Sequence, residues 1–300
     1  IFTGSSGRVF PKSMKASPLL RSWLIRLSNK GVTFYRNWKW VGWQDDVAAF
    51  ETISGKKFVK SHTTVLAMGG ASWPHLGSDG LWADILKKSN VNITNFQPSN
   101  MGFKVQWSDF MKPFFGTPIK SVRISSGEFS AIGEFVISKK GIEGSGIYAA
   151  SKFLRDGNSL MIDLLPDTEI ETLNKRQKLL SLKVSRSTLN RKVLRLDKGK
   201  IAFFNEFSQH ISTQNIVHAA KNLLIPHEGP HPINEAISTA GGVSESALND
   251  NLMLKAKPSI FCAGEMLDWE APTGGYLISA CLATGKWAGL GAVNYIKSLK

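Results

Sequence analysis

Apolar positions along this chain change their spacing several times. Leu19, Leu20, Trp23, Leu24 and Leu27 recur at steps of three and four, which predicts a helix with Ser17 as N-cap and Pro18 as its first residue, closed at Asn29, Lys30 and Gly31. From Val32 the pattern shortens to that of strands: residues 32–44, then 47–53, a turn at Ser54 and Gly55, and 57–70. Val65 to Met68 is wholly apolar and runs into Gly69 and Gly70. Ser78 or Asp79 then caps a helix that reaches Lys88 and closes at Asn90. Between Gln97 and Ile233 the composition changes again. Residues 101–107, 121–126 and 131–138 read as short strands separated by Pro113, Pro118 and glycines, the pattern of a small antiparallel barrel or sheet. Asp167 caps a helical tract to about Asp197.

One stretch, 261–291, reads as strand, loop and helix in direct succession. A short apolar run from Ser259 to Ala263 ends at Gly264, where the absence of a side chain permits close approach to the backbone. Glu265 and Asp268 follow in the loop. Pro272, Thr273, Gly274 and Gly275 then open a helix whose inward face is Leu277, Ala280, Cys281, Thr284 and Ala288, mostly small residues. Free N–H groups at that start, with the positive end of the helix dipole, favour an anion or a carbonyl that gathers negative charge.

These residues resemble the C-terminal flavin motif of FAD proteins, and more narrowly the BaiN-like NAD(P)/FAD-dependent oxidoreductases. In such proteins the residue matching Asp268 lies by the ribityl and pyrophosphate groups, and the backbone matching Gly274, Gly275, Tyr276 and Leu277 faces the pyrimidine edge of the flavin. The strand ending at Gly69 and Gly70 passes near the ADP half. Thr239, Gly241, Gly242 and Val243 match a T-x-G-G-V turn close to the flavin ring, and Gly264 and Glu265 belong to the C-terminal motif. Residues 4–24 resemble a signature of one branch of the family. Arg8 and Lys15 within it are candidates to meet a phosphate or an anionic substrate, although lone basic residues are more often solvated.

The resemblance implies an α/β fold: a Rossmann-like, two-dinucleotide-binding FAD domain with a β-meander, interrupted by an inserted β-barrel and helical domain. Residues 1–95 and 233–300 would form the FAD domain, 96–165 and 201–232 a β-rich insert, and 166–200 a helical insert. The family's first strand, its G-x-G-x-x-G turn and the acid that holds the adenosine ribose all precede the segment matching Ile1, and no substitute is present. The expectation is therefore of a fragment or processed product with a weakened hold on FAD.

Composition narrows the alternatives. The 300 residues are 42% hydrophobic, enough for a sizeable core, and carry a formal charge of +14. Such a charge is compatible with nucleic acid, anionic lipid or a dinucleotide. Trp38, Trp40 and Trp43 beside Arg36 and Lys39 resemble a base-stacking platform, but a half-buried sheet face explains them better. The basic residues Lys175, Arg176, Lys178, Lys183, Arg186, Arg191, Lys192 and Arg195 are expected to form a solvated face. Cys262 and Cys281 are the two cysteines and form no C-x-x-C pair, which fits a cytoplasmic compartment. No apolar run approaches the length of a membrane span. His227 and His231 flank Gly and Pro, so no helix aligns them on a metal, and Ser145 lacks the surroundings of a nucleophile. The reading is an FAD-dependent oxidoreductase exchanging reducing equivalents between NAD(P)H and a small organic substrate. The alternative is a basic nucleic-acid-associated protein without catalysis.

Overall fold

The computed structural model describes residues 1–5, 7–180 and 184–300. Two bodies of structure follow from the change of pattern near residue 100. The first is assembled from small sheets. Lys39–Gln44, Val47–Thr52 and Gly55–Val59 form an antiparallel meander, Thr64–Leu66 pairs in parallel with Ile260–Cys262, and Ile93–Ser99 pairs antiparallel with Ser238–Val243. Trp40, Leu66, Trp82, Leu86, Val243, Leu254, Cys262 and Met266 share its core. The parallel pair joins segments nearly two hundred residues apart, which is the form a crossover connection takes in α/β proteins.

The second body lies between those two crossings. Six antiparallel strands run in the order Leu223–Ile225, Leu160–Asp163, Pro118–Ser126, Phe129–Ser138, Gly141–Glu143 and Phe103–Lys104. The helices Ser145–Arg155, Ile170–Lys178, Lys198–Ser208 and Ile216–Lys221 accompany them. Phe103, Ile124, Phe135, Leu173, Leu189, Phe203 and Phe204 belong to one core, so the helical tract and the sheet are packed together.

Several expected boundaries move. The first helix is Ala16–Ser28 and follows Lys15, with no side-chain cap, so Ser17 does not cap it. Pro18 still falls in the first turn, where its missing N–H costs no intrahelical bond. Residues 32–38 are not strand, and Asn37 turns into the left-handed region (φ 59°) just before the meander begins. The helix expected from Ser78 or Asp79 is Trp82–Lys88, with the Asp79 carboxylate accepting from the Leu81 N–H at 3.1 Å. The tract capped at Asp167 instead starts at Ile170 and is broken into Ile170–Lys178, Arg186–Thr188 and a π turn at Leu189–Val193. Asp197 ends nothing; it caps the next helix by accepting from the Lys200 N–H at 2.8 Å.

The basic tract is only partly a solvated face. Lys175, Lys178, Arg191, Lys192 and Arg195 are exposed, and Lys183 lies outside the described residues. Arg186 turns inward. Its guanidinium donates to the Ile211 carbonyl at 3.0 Å and the Ser208 carbonyl at 2.7 Å, meets the Ser208 hydroxyl, and sits 5.5 Å from the Phe204 ring centre. The tryptophans of the meander are a sheet face: Trp40 is buried, and it meets Trp43 edge to face at 4.8 Å.

Candidate functional site

Three backbone segments far apart in sequence meet outside the carboxyl ends of the parallel strands. The Glu265 carboxylate joins them, accepting from the Gly70 N–H at 3.2 Å and from the Thr239 N–H at 3.1 Å. Thr239 returns the contact, its hydroxyl accepting from the Ala71 N–H at 2.9 Å. The Gly69 carbonyl accepts from the Trp82 indole at 3.1 Å. Farther along, the Asp268 N–H donates to the Val243 carbonyl at 2.9 Å, and the Thr94 hydroxyl donates to the Asp268 carboxylate. Gly69, Gly70, Thr239 to Val243, Glu265 and Asp268 are therefore one stitched assembly. A carboxylate spent on two backbone N–H groups is a buttress, and that is the position of Glu265.

The glycines separate into two kinds. A Cβ on Gly70 would strike the Thr239 side chain, one on Gly241 the Asn95 carbonyl, and one on Gly242 the Met266 carbonyl. Gly241 and Gly242 also have φ of 88° and 136°, so both backbone conformation and neighbouring chain demand glycine there. Their glycine character is accounted for by the fold. Gly264 sits against the helix that follows: its N–H donates to the Thr284 hydroxyl at 3.0 Å, and Cys281 lies beside it. Gly275 is different. It holds φ 95°, and among the described residues nothing lies within 4 Å of where its Cβ would stand.

Gly275 precedes the helix Tyr276–Ser298, whose inward face is the expected Leu277, Ala280, Cys281, Thr284 and Ala288, with Ala288 fully buried. No side chain caps its start, and Tyr276 is 61% exposed. Among the described residues the amides of the first turn thus have no acceptor, and the dipole lies behind them. The Arg8 guanidinium lies over Gly274 and would clash with any Cβ placed there. It is carried by the small hairpin of Phe2–Thr3 and Val9–Phe10. Lys15 is exposed just before the first helix, and its side chain has no hydrogen bond or ion pair among the described residues. A guanidinium beside open helical amides suits an anionic or electron-rich planar group. For a flavin the residues fit at this end, because Gly275 leaves the room that a ring edge needs and the first-turn amides supply donors.

Four residues at the site carry no sequence signal. Thr94, Asn100, Arg155 and Glu270 find partners 51 to 174 residues away, apart from the neighbour contacts of Asn100 with Ser99 and of Arg155 with Asp156. A cleft of about 740 Å³ lined by Glu245, Leu248, Asp250, Thr284 and Trp287 runs beside the middle of the helix and not at its glycine start.

With this geometry established, comparison with known proteins can be read. The family model described as the HI0933-like protein Rossmann domain matches residues 1–291. The 3-dehydro-bile acid delta(4,6)-reductase of Clostridium scindens (strain ATCC 35704 / DSM 5676 / VPI 13733 / 19) is 23% identical over an alignment covering 98% of this chain and 78% of that protein. The ribosomal RNA dihydrouridine synthase of Escherichia coli (strain K12) is 23% identical over 71% of this chain and 56% of that protein, so the match spans little more than half of the second relative.

Proposed function

This chain belongs to the HI0933-like Rossmann-domain family, a flavoprotein oxidoreductase group, and from that membership we propose that it is an FAD-dependent reductase acting on a double bond conjugated to a carbonyl. NAD(P)H is the proposed electron donor, and a two-dinucleotide-binding FAD domain interrupted by the six-stranded unit is the proposed architecture. The names of both relatives support the substrate class. A delta(4,6)-reductase of a 3-oxo steroid and an enzyme that makes dihydrouridine each saturate a C=C bond next to a carbonyl. The observation that carries the reading is the open, glycine-led start of the Tyr276–Ser298 helix.

A bound flavin supplies the hydride; the protein's residues bind, orient and stabilise. The amides after Gly275 favour negative charge on a ring edge, which is where reduction places it. Asp268, fixed by Thr94 and by the Val243 carbonyl, would hold the polar chain of the cofactor. Thr239 to Val243 and Gly69 to Gly70 form the wall behind, braced by Glu265. Arg8 holds an anionic group of the substrate or cofactor beside Gly274. Replacing Gly275 with Asp sets a carboxylate against the charge of the reduced ring. FAD titration followed by spectroelectrochemistry should show weaker binding and a lower potential. Equal affinity and potential in Gly275→Asp and the parent would reject the site.

A second reading keeps the chemistry and changes the substrate to a base within RNA. Residues 1–60 hold eleven Lys and Arg against three Asp and Glu, on the same segment as Arg8, and one relative is named for action on ribosomal RNA. Salt-sensitive binding of an RNA hairpin, lost when Lys12, Lys15 and Arg21 are changed to Glu, is its expected signature.

A further inference from the structure

The loop that leads from Asp268 to the helix start has few attachments. Trp269 donates its indole N–H to the Gly264 carbonyl at 3.1 Å, and among the described residues no hydrogen bond holds 272–274. The last fixed points before Gly275 are Glu270 and Ala271, and both are held from the six-stranded unit or from the crossing into it. Arg155, at the end of the Ser145–Arg155 helix, grips Glu270 with both arms, Nη1 to Oε2 at 3.0 Å and Nη2 to Oε1 at 2.8 Å. Its Nη1 also donates to the Pro98 carbonyl at 2.9 Å. The Ser99 hydroxyl donates to Glu270 at 3.0 Å, and the Lys152 ammonium stands 4.0 Å away. Asn100, left-handed at φ 55° where the chain leaves the Ile93–Ser99 strand, donates its side-chain amide to the Ala271 carbonyl and the Ser238 hydroxyl, both at 2.7 Å.

We propose that Arg155 is a positioning residue of the flavin site: from the six-stranded unit it holds the 270–271 segment and thereby sets where the glycine-led helix start presents its amides. The proposal rests on the flavin reading of that start for its functional meaning, but the mechanical part stands on the contacts alone. The Arg155 and Glu270 side chains are only 9% and 18% exposed. Taking two charges that far from water is costly, and an apolar contact would fasten two bodies as well. A forked, two-point pair adds direction, because both planes and both distances are fixed at once. Burial pushes the Glu270 carboxyl upward, but Arg155, Ser99 and Lys152 together outweigh it and hold it below the usual carboxylate range. Burial likewise pulls Arg155 down, and Glu270 and Asp156 more than reverse this. The pair stays charged and closed across the neutral range. Movement of the six-stranded unit is then transmitted toward the helix start chiefly through the Arg155 fork, beside the weaker Lys152 contact.

Amide hydrogen exchange on the 300-residue chain without FAD tests the contact, and FAD titration of the same samples tests its consequence. In Arg155→Met, exchange at residues 279–283, the first amides of the last helix that have a backbone acceptor, should rise about ten- to a hundredfold, as expected for losing a charge-assisted bond, while the strands 118–126 and 160–163 keep their protection. Arg155→Lys, which retains the charge but not the fork, should lie between. FAD affinity should fall in the same order. If Arg155→Met also loosens the sheet, Glu270→Gln replaces it, since that change leaves the helix of the six-stranded unit untouched. Unchanged exchange at 279–283 in both Arg155→Met and Glu270→Gln overturns the proposal. Raised exchange with a measurable FAD affinity that is the same in the parent and in Arg155→Met overturns the flavin reading of the helix start and leaves the positioning contact standing.

Discussion

The six-stranded unit and the body that surrounds the candidate site solve the burial problem differently. In the first, one core runs from Met101 to Ala236, and Phe103, Ile124, Phe135, Phe203 and Phe204 are wholly or almost wholly removed from water. In the second, the cores are small, the sheets are pairs or a triplet, and large apolar side chains stay in solvent. Leu19, Leu20 and Trp23 are exposed on the first helix, Val65 on the parallel strand, and Ile278, Leu282, Trp287 and Leu290 on the last helix. The contrast shows which part of the molecule supports itself and which part depends on polar ties. Where the first unit uses apolar packing, the second holds its segments through Glu265, Thr239, Asn100 and Arg155.

The largest test of this contrast is paired truncation. Phe203→Ala should cost about 3–5 kcal/mol in urea denaturation, the usual cost of emptying a filled aromatic site. Leu282→Ala, on a side chain 51% exposed, should stay within about 0.5 kcal/mol. Comparable losses for the two would mean that the last helix is packed in solution. Within the basic tract the same logic separates neighbours. Arg186→Glu removes donors from two carbonyls and places a carboxylate against them, with an expected loss of about 2 kcal/mol or more, whereas the exposed Arg191→Glu should be near neutral. Thermal melts of the two variants would sort inward from outward charge.

How legible the molecule was depends on the distance over which each feature is determined. The strand–loop–helix of residues 260–298 and its inward face are local patterns of period and glycine, and they appear where the pattern puts them. Membership of the flavoprotein family was likewise readable, since its motifs are short and contiguous. The break in the 170–197 tract was not, because periodicity cannot see that Arg186 reaches carbonyls at Ser208 and Ile211 or that Leu189–Val193 widens to a π turn. Nor could the strand content of residues 32–38 be denied by propensity alone; a left-handed Asn37 decided it. Arg155 and Glu270 are 115 residues apart, and nothing near either marks the other. Nor does the sequence separate its glycine pairs, of which Gly241 and Gly242 answer to backbone neighbours and Gly275 to open space.

That difference gives a sharper, smaller effect. Gly242→Ala meets the Met266 carbonyl and a φ of 136°, so it should destabilise the body around the site by about 2 kcal/mol or more. Gly275→Ala has room for the methyl and suffers only the left-handed backbone, about 1 kcal/mol. If both cost the same in denaturation, the open space beside Gly275 is filled in solution. Acid offers a parallel check on the tie between the two bodies. Because the Glu270 carboxyl is held below its ordinary value, the stability it contributes is present above about pH 4.3 and is lost as the pH falls through the lower folded value. Glu270→Gln should therefore flatten the acid limb of a stability profile.

The mildest probe leaves stability untouched and asks whether the two bodies open together. Cys262 lies buried on the parallel strand, and burial pushes its thiol up to about 12, so at pH 8 almost none of it is thiolate and none is reachable. Cys281, on the last helix beside Gly264, is partly exposed, and its thiol is raised by burial and by the nearby Glu265 carboxylate. A neutral alkylating reagent should modify Cys281 slowly in native buffer and Cys262 only when the strand opens. Since thiolate forms in the open state, the Cys262 rate measures the free energy of that opening. If the body around the site rests on polar ties, increasing urea should accelerate Cys262 labelling at concentrations where the far-ultraviolet signal of the six-stranded unit is still native. Labelling of Cys262 that begins only with loss of that signal would show a single cooperative unit, and the contrast between an apolar core and a tied assembly would then describe the contacts without describing how the molecule unfolds.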